Sequence, residues 1–413
     1  MPQSLANMTA ALKDDYSPGL RNALNNSNVI WGEVSRNTES IVGQQAVWSI
    51  QSGRSNSTSA RAELGVLAQA DRQRYLRASD SLRFLYHTIK VSGPSKALTR
   101  NDDGAFVRAV ESEVKGAERD LKHDISREVF GQKVSVNSVL STGVLGTLTA
   151  VVTGASGTAT LGNEPTSVLR HFFPGETVAF IAPATGVVRV QVSTVVSVNL
   201  TTKVITFDTV DASAASTDVL VRSSATSSAQ NNLGNEINGL RFLIGTQDYA
   251  GITAASNPVW NSLTLGSATT AISEAILDQA VEIVETDGNG NSPGLYVAEH
   301  AQRRKLASLL QSQKRYEGRE MTLTSGWRGL NVARGTLVVD RFCPSNLVFA
   351  IDTTEIELFV GLDFQWDEDD DGGVFFKALD GSDAIEARYK WYGNLEATVR
   401  NAHSKVTLVE PTF

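Results

Sequence analysis

Between Asn101 and Gln132 the chain reads NDDGAFVRAVESEVKGAERDLKHDISREVFGQ. Val107, Val110, Val114, Leu121, Ile125 and Val129 recur at steps of three, four or seven, which places them on one stripe of a helix. Asn101, Asp102 and Asp103 offer N-cap oxygens and put negative charge at the positive end of the helix dipole. Gly131 suits the C′ stop. About 28 residues at roughly 1.5 Å each make a rod of around 40 Å. The remaining faces carry Glu111, Glu113, Lys115, Glu118, Arg119, Asp120, Lys122, Asp124, Arg127 and Glu128, read as solvated. An apolar stripe that long must lie on something equally long. The spacing leaves two readings, a solvated helix with its stripe on a core and a structural spine laid along a sheet.

The flanking sequence offers strands. Residues 44–52, QQAVWSIQS, alternate with Ala46, Trp48 and Ile50 on one side. Residues 82–91, LRFLYHTIKV, read as their returning strand. Between them lies a polar excursion too long for an idle loop, GRSNSTSARAELGVLAQADRQRYLRASD, read as a two-stranded protrusion. Before it, residues 1–40 are broken by Pro18-Gly19 and by Asn25-Asn26-Ser27-Asn28, and look like an arm with little core of its own.

After the helix the texture changes. Residues 143–222 hold nine charged side chains in 80 positions, about half the density of the whole chain, and are rich in Val and Thr. Strand candidates GTLTAVV, ETVAFIA, VVRVQVSTVVSVNL, KVITFDTV and DVLVRSS, with a turn at Thr201-Thr202, suggest a small inserted β-barrel or sandwich. Residues 223–239 read as a Ser/Ala/Asn linker. A second helix is expected over 268–286, with Ile272, Ile276, Ala280 and Ile283 on one face. LYVAEHAQ then reads as a buried strand running into the helix RRKLASLLQSQKRY, and strands follow to a long closing one over 383–400. The class is α+β.

Composition excludes several roles. The net charge of −8 argues against coating nucleic acid, and no run of 18 apolar residues is present to span a membrane. The single cysteine, Cys343, rules out an intrachain disulfide framework and is read as a small buried hydrophobe. The N-terminus has no basic region followed by an apolar one, so no secretory signal is expected. None of His87, His123, His171, His300 and His403 stands at metal-ligand spacing. No nucleophile motif is present, so no catalytic, cofactor or metal residue is assigned. GNGNSPG, 288–294, follows a helix and fails the dinucleotide fingerprint, so it is a turn.

Two stretches carry charge of interest. Asp367, Glu368, Asp369, Asp370 and Asp371 open like a calcium loop of the EF-hand kind, but its twelfth position is Ala378 where a bidentate Glu is required. They are read as a solvated hairpin tip. In the excursion, Arg54, Arg61, Arg72, Arg74 and Arg77 stand against Glu63 and Asp71, a net +3 on an acidic chain. A basic tip on an acidic body suits pairing between copies through Arg–carboxylate contacts. These arginines, with Glu63 and Trp48, are the candidate subunit contacts.

In this order the parts resemble the major capsid proteins of tailed bacteriophages, of the Hong-Kong-97-type fold. The resemblance runs through SARAELGVLAQA in the extended loop, NDDGA opening the spine helix, ISEAILDQAVEIVE, PGLYVAEHAQRRKL and the closing ARYKWYGNLEATVRNAHSKVTLVE. It implies an N-terminal arm over 1–42, an extended loop over 43–92 and a peripheral domain with the spine helix over 93–142. The inserted β domain over 143–222 is an addition to the minimal fold. It is followed by a linker with peripheral and axial strands (223–262), a mainly axial part (263–352) and the return to the closing peripheral strands (353–413). It implies no enzymatic activity, but self-assembly into hexamers and pentamers of an icosahedral shell around double-stranded DNA. Portal, separate scaffolding and cementing proteins are the implied partners, the DNA is contacted non-specifically, and the location is the virion capsid, assembled in the host cytoplasm. An encapsulin-like nanocompartment shell is the alternative within the same architecture, and a β-rich decoration protein or adhesin the alternative outside it. Some members weld subunits through a loop lysine, but between Lys13 and Lys90 this chain has none, so a non-covalent shell is expected.

Overall fold

The structure is a computed structural model. It describes residues 28–94, 103–189, 192–224, 226–288, 291–311, 320–322, 328–332, 334–367, 377–378, 381 and 383–411, with only the backbone described at 103–112, 311, 320–322, 328 and 377–378.

The spine helix runs Asp103–Glu128. The caps at Asn101 and Asp102 lie outside the described residues, while Gly131 closes the far end by donating from its N–H to the Glu128 carbonyl at 2.8 Å. Val114, Ala117, Leu121, Ile125 and Val129 are buried, as the stripe requires. They share one core with Ile89, Phe364, Ala387, Tyr389 and Trp391 of a five-stranded sheet. That sheet is built on Ala384–Ala397, which pairs along one edge with Arg83–Ser92 and along the other with Ile356–Trp366. Ser35–Asn37 adds a parallel edge, and Lys377–Ala378 a short antiparallel one. The helix packs on Arg83–Ser92.

The arm contributes more core than its composition suggests. Asn28 caps a short helix, Val29–Glu33, by accepting from the Trp31 N–H at 3.2 Å. Val29, Ile30 and Trp31 are buried, and the Trp31 ring meets Trp391 and Phe364. A residue read from sequence only as a breaker acts here as an N-cap.

A second, seven-stranded sheet runs in the order Leu263–Gly266, Ser404–Thr407, Leu347–Ile351, Leu295–Ala298, Gly335–Val339, Arg328–Val332, Glu320–Thr322. Its centre is apolar on both faces, which is why LYVA is buried throughout. Helix Glu274–Asp287 is capped by Ser273 and buries Leu277, Ala280, Val281 and Val284. Of the expected stripe, Ile272 and Ala280 are buried, while Ile276 and Ile283 lie half-buried at its margin because the sheet beneath draws in Leu277, Val281 and Val284. Helix His300–Gln311 follows the central strand.

The insert is an eight-stranded, antiparallel sheet, ordered Ser227–Asn231, Val219–Ser224, Thr177–Ile181, Ser193–Asn199, Val204–Phe207, Thr158–Thr160, Ala150–Val152, with Val144–Thr147 on Val219–Ser224. Among the described residues no ladder joins the two ends of that order, so closure into a barrel does not follow from its pairing. It has its own core of Leu145, Leu161, Leu169, Phe172, Phe180, Ile205, Phe207 and Leu220. The Thr201-Thr202 turn forms as read: the Asn199 side chain accepts from both N–H groups, and Lys203 takes a positive φ of 57°.

Two expectations give way. Residues 82–91 do not return the protrusion. The hairpin is Gln45–Gly53 against Arg74–Ser81, in register from Gln45↔Ser81 to Gly53↔Arg74. Leu82 is buried at the bend, and Arg83–Ser92 crosses into the five-stranded sheet. Both segments alternate, and only the neighbouring Ala384–Ala397 edge decides which one leaves. Residues 223–239 are not a free linker either. Ser227–Asn231 is a strand of the insert, and Glu236, Ile237 and Asn238 are buried. Small polar residues read as a linker here because their partners lie far away in sequence.

Candidate subunit-contact surface

The hairpin Gln45–Gly53/Arg74–Ser81 stands on the body at its foot. Ala46 and Ala78 are fully buried there. Trp48 packs on Phe359, with ring centroids 5.8 Å apart, and on Tyr249 at 6.0 Å. Its ring therefore braces the hairpin within its own chain, and it does not stand among the tip residues. The Ser79 N–H donates to the Ala250 carbonyl at 3.1 Å, and the Asn394 side chain donates to the Ser81 carbonyl at 3.0 Å.

Beyond Gly53 and Arg74 the chain leaves regular structure. The tip is held by local bonds: Asp71 accepts from the N–H groups of Asn56 and Arg72, and Gln51 bonds Gln73. Those two N–H donors pull the Asp71 carboxyl below its ordinary value. Arg54, Arg61, Glu63, Arg72, Arg74 and Arg77 are all exposed. Among the described residues none of the five guanidinium groups lies within 4 Å of a carboxylate. The structure thus gathers the sequence-selected charges on one projecting element, where Asp71 is the carboxylate that feels Arg74.

Sequence reasoning passed over what lies between them. Leu64, Val66 and Leu67 are 101%, 87% and 80% exposed. Three large apolar side chains fully in water on one loop are unusual enough to need a cover. Leu64 also holds a positive φ of 63°, a conformation that a branched side chain rarely adopts. The signal was present as ELGVL inside a polar excursion. Fully burying each such side chain is worth roughly 1.5–3 kcal/mol.

The acidic stretch is only partly visible. Asp367 pairs with Lys390 at 2.8 Å and lies beside the sheet. Glu368, Asp369, Asp370 and Asp371 lie outside the described residues.

A dense set of ion pairs fastens the insert to the body. Arg222 pairs with Asp124 of the spine helix and with Glu176. Arg127 and Glu236 form a bidentate pair at 2.9 and 2.6 Å, with both side chains buried. Glu164 accepts from Gln132 and Arg241, Arg170 reaches Glu299, and Lys203 reaches Glu410. The last turn of the spine helix is therefore buried, and Arg127 and Glu128 are not on a solvated face as read from sequence. The insert covers them.

Neither a protein-family pattern nor a curated sequence matches the chain. Solved structures do. A chain of the cyanophage A-1(L) capsid asymmetric unit matches with a TM-score of 0.53 at 14% identity, over 93% of both chains. Gordonia phage Cozz gives 0.43 at 11% identity, over 93% of this chain and 87% of that one. An encapsulin complex from Synechococcus elongatus gives 0.30 at 11% identity, over 41% of this chain and 60% of that one. At whole-chain coverage and above half the maximal score, the chain has the α+β fold of the cyanophage capsid chain, the fold its sequence resemblance implies.

Proposed function

We propose that this chain is a major capsid protein that assembles into the hexamers and pentamers of an icosahedral shell enclosing double-stranded DNA. The observation that carries the reading is the projecting hairpin tip. A fold shared over 93% of the chain with a chain of a phage capsid presents, on one arm, three exposed apolar side chains among arginines that form no ion pair among the described residues. A second copy of an acidic chain offers both the apolar cover and the carboxylates. On this reading the five-stranded sheet with its spine helix is the peripheral domain, the seven-stranded sheet the axial domain, and 143–222 an added domain docked on the first. Arg54, Arg61, Arg72, Arg74 and Arg77, with Glu63, are the contact residues, and Trp48 holds the hairpin at the angle that delivers them. Portal, scaffolding and cementing proteins and non-specifically held DNA complete the assembly in the virion.

Electron microscopy of the purified protein tests this. Closed shells with six- and five-fold clusters are expected. A protein that stays monomeric at high concentration, with and without a scaffolding partner from the same genome, would contradict it. No described helix is long and apolar enough to cross a membrane.

A further inference from the structure

At the foot of the hairpin lies a polar knot. Asp80, opposite Ala46 in the hairpin register, faces Lys133, which follows the spine helix, with Nζ to Oδ2 at 3.6 Å. Both side chains are largely shielded, 9% exposed for Lys133 and 16% for Asp80. The Lys133 amine sits over the Phe242 ring, 4.1 Å from its centroid. Asn238 donates from Nδ2 to Asp80 Oδ2 at 2.9 Å and to both oxygens of Glu396 at 3.1 Å. Asn238 and Glu396 are fully buried, and the Tyr249 hydroxyl donates to Glu396.

We propose that this is a modification site, at which Lys133 Nζ and Asp80 Cγ join in an intramolecular isopeptide bond once the chain has folded. Three features favour amide formation: an amine 3.6 Å from a carboxylate oxygen, a donor on that same oxygen, and side chains largely shielded from solvent. Burial pushes the Lys133 ammonium below its ordinary value, against the pull of Asp80 and Glu396. Burial also pushes the Glu396 carboxyl well above its ordinary value, against the pull of Lys133 and of the Tyr249 and Asn238 donors.

The step balances without a co-reactant. A proton passes from the ammonium to the Asp80 carboxylate, giving neutral amine and acid. The nitrogen lone pair attacks Cγ while Asn238 Nδ2 steadies the charge that develops on Oδ2. The bond from Cγ to the other oxygen breaks, that oxygen leaves as water with one proton from nitrogen, and an amide remains. No group is oxidised or reduced. The product ties the foot of the hairpin to the end of the spine helix, so that a pull on the tip is borne by a covalent bond instead of by strand pairing.

The intact mass of the purified full-length chain, denatured before measurement, reads the bond. The expected chain is lighter than its sequence by one water molecule, and a tryptic digest yields a branched peptide joining the fragments of Asp80 and Lys133. Lys133→Arg and Asp80→Ala restore the full mass. Asp80→Asn remains competent and loses ammonia in place of water. A wild-type chain at full mass overturns the proposal and leaves an ordinary buried ion pair. A deficit of one water that persists in Lys133→Arg also overturns it, because the dehydration then lies elsewhere. Neither readout depends on shell formation, so failure here is distinct from failure of the assembly reading.

Discussion

Arg127 carries its charge where water does not reach. Its cost of burial is offset by the bidentate Glu236 and by nearby Glu128, and the group is held well above its ordinary value by Glu236 against desolvation. Removing Glu236 takes away the bidentate partner and leaves the buried guanidinium only the longer Glu128 contact at 3.6 Å. Glu236→Leu is therefore expected to lower stability by about 3–5 kcal/mol, while adding Arg127→Met should recover most of that loss, as thermal melts of the three variants would register. A double variant as weak as the single would mean that the pair itself is the source of stability. His403 is the counterpart among neutral groups. It is fully buried, accepts at Nδ1 from the Asp352 N–H, and burial holds it down at about 4. Because the folded value lies below the unfolded one near 6.5, the unfolded chain binds the extra proton first, and stability falls as pH drops from about 6.5 to about 4. The full loss is on the order of 3 kcal/mol. Denaturant titrations at pH 7 and pH 4 should show a smaller acid loss in His403→Gln than in the parent. Equal losses would show that His403 does not carry the acid response.

At the scale of elements, the joint between insert and body decides more than either part. Gly239 lies against the end of the spine helix, where an added Cβ would meet the Gly131 nitrogen at 2.2 Å and the Glu128 carbonyl oxygen at 2.6 Å. The Leu240 N–H donates to the Val129 carbonyl at 2.7 Å across the same approach. Backbone cannot yield as a side-chain tip does, so Gly239→Ala should cost several kcal/mol, more than a typical core substitution, and show as lost soluble yield. Gly116, whose added Cβ meets nothing within 4 Å, is the control and should tolerate Ala. The packing of 226–240 carries a second consequence. Limited proteolysis should spare this stretch and cut the hairpin tip first, since cleavage needs exposed, locally open backbone. Early cutting between Ser227 and Leu240 would mean that the insert hangs on a free tether after all.

For the whole molecule, the arrangement of exposed groups sets the assembly chemistry. Leu64→Ser with Leu67→Ser should leave the folded chain intact but sharply reduce shell yield, because among the described residues both side chains are exposed. Arg61, Arg72 and Arg74 to Ala should reduce yield less and remove part of the salt sensitivity, since exposed pairs are screened while apolar burial is not. Light scattering against salt separates the two sets. Shells of normal yield from both would remove the tip from the contact. With no lysine between Lys13 and Lys90, boiled and reduced particles should run as one band near 44 kDa. A ladder of multiples would reveal a cross-link between subunits, which the intrachain bond at Lys133 cannot produce.

The spine helix, the apolar central strand LYVA, the Thr201-Thr202 turn and the low-charge insert were legible in sequence because each depends on neighbours a few residues away. Spacing sets a stripe, a side-chain oxygen caps an adjacent N–H, and composition sets what can be buried. The arginines of the excursion were legible for the same reason, as a local imbalance of charge. What tertiary structure decided depends on pairing at long range. Whether Arg74–Ser81 or Arg83–Ser92 returns the hairpin was settled by the edge that Ala384–Ala397 offers, which lies some 300 residues away. The burial of Arg127 was settled by Glu236 and the insert above it. Asp80, Lys133, Asn238 and Glu396 come from four separate segments, and no spacing rule links them. Periodicity fixes which face of an element is apolar. Only the packed chain fixes which partner covers it, because that choice is made by the geometry of segments that sequence distance keeps apart.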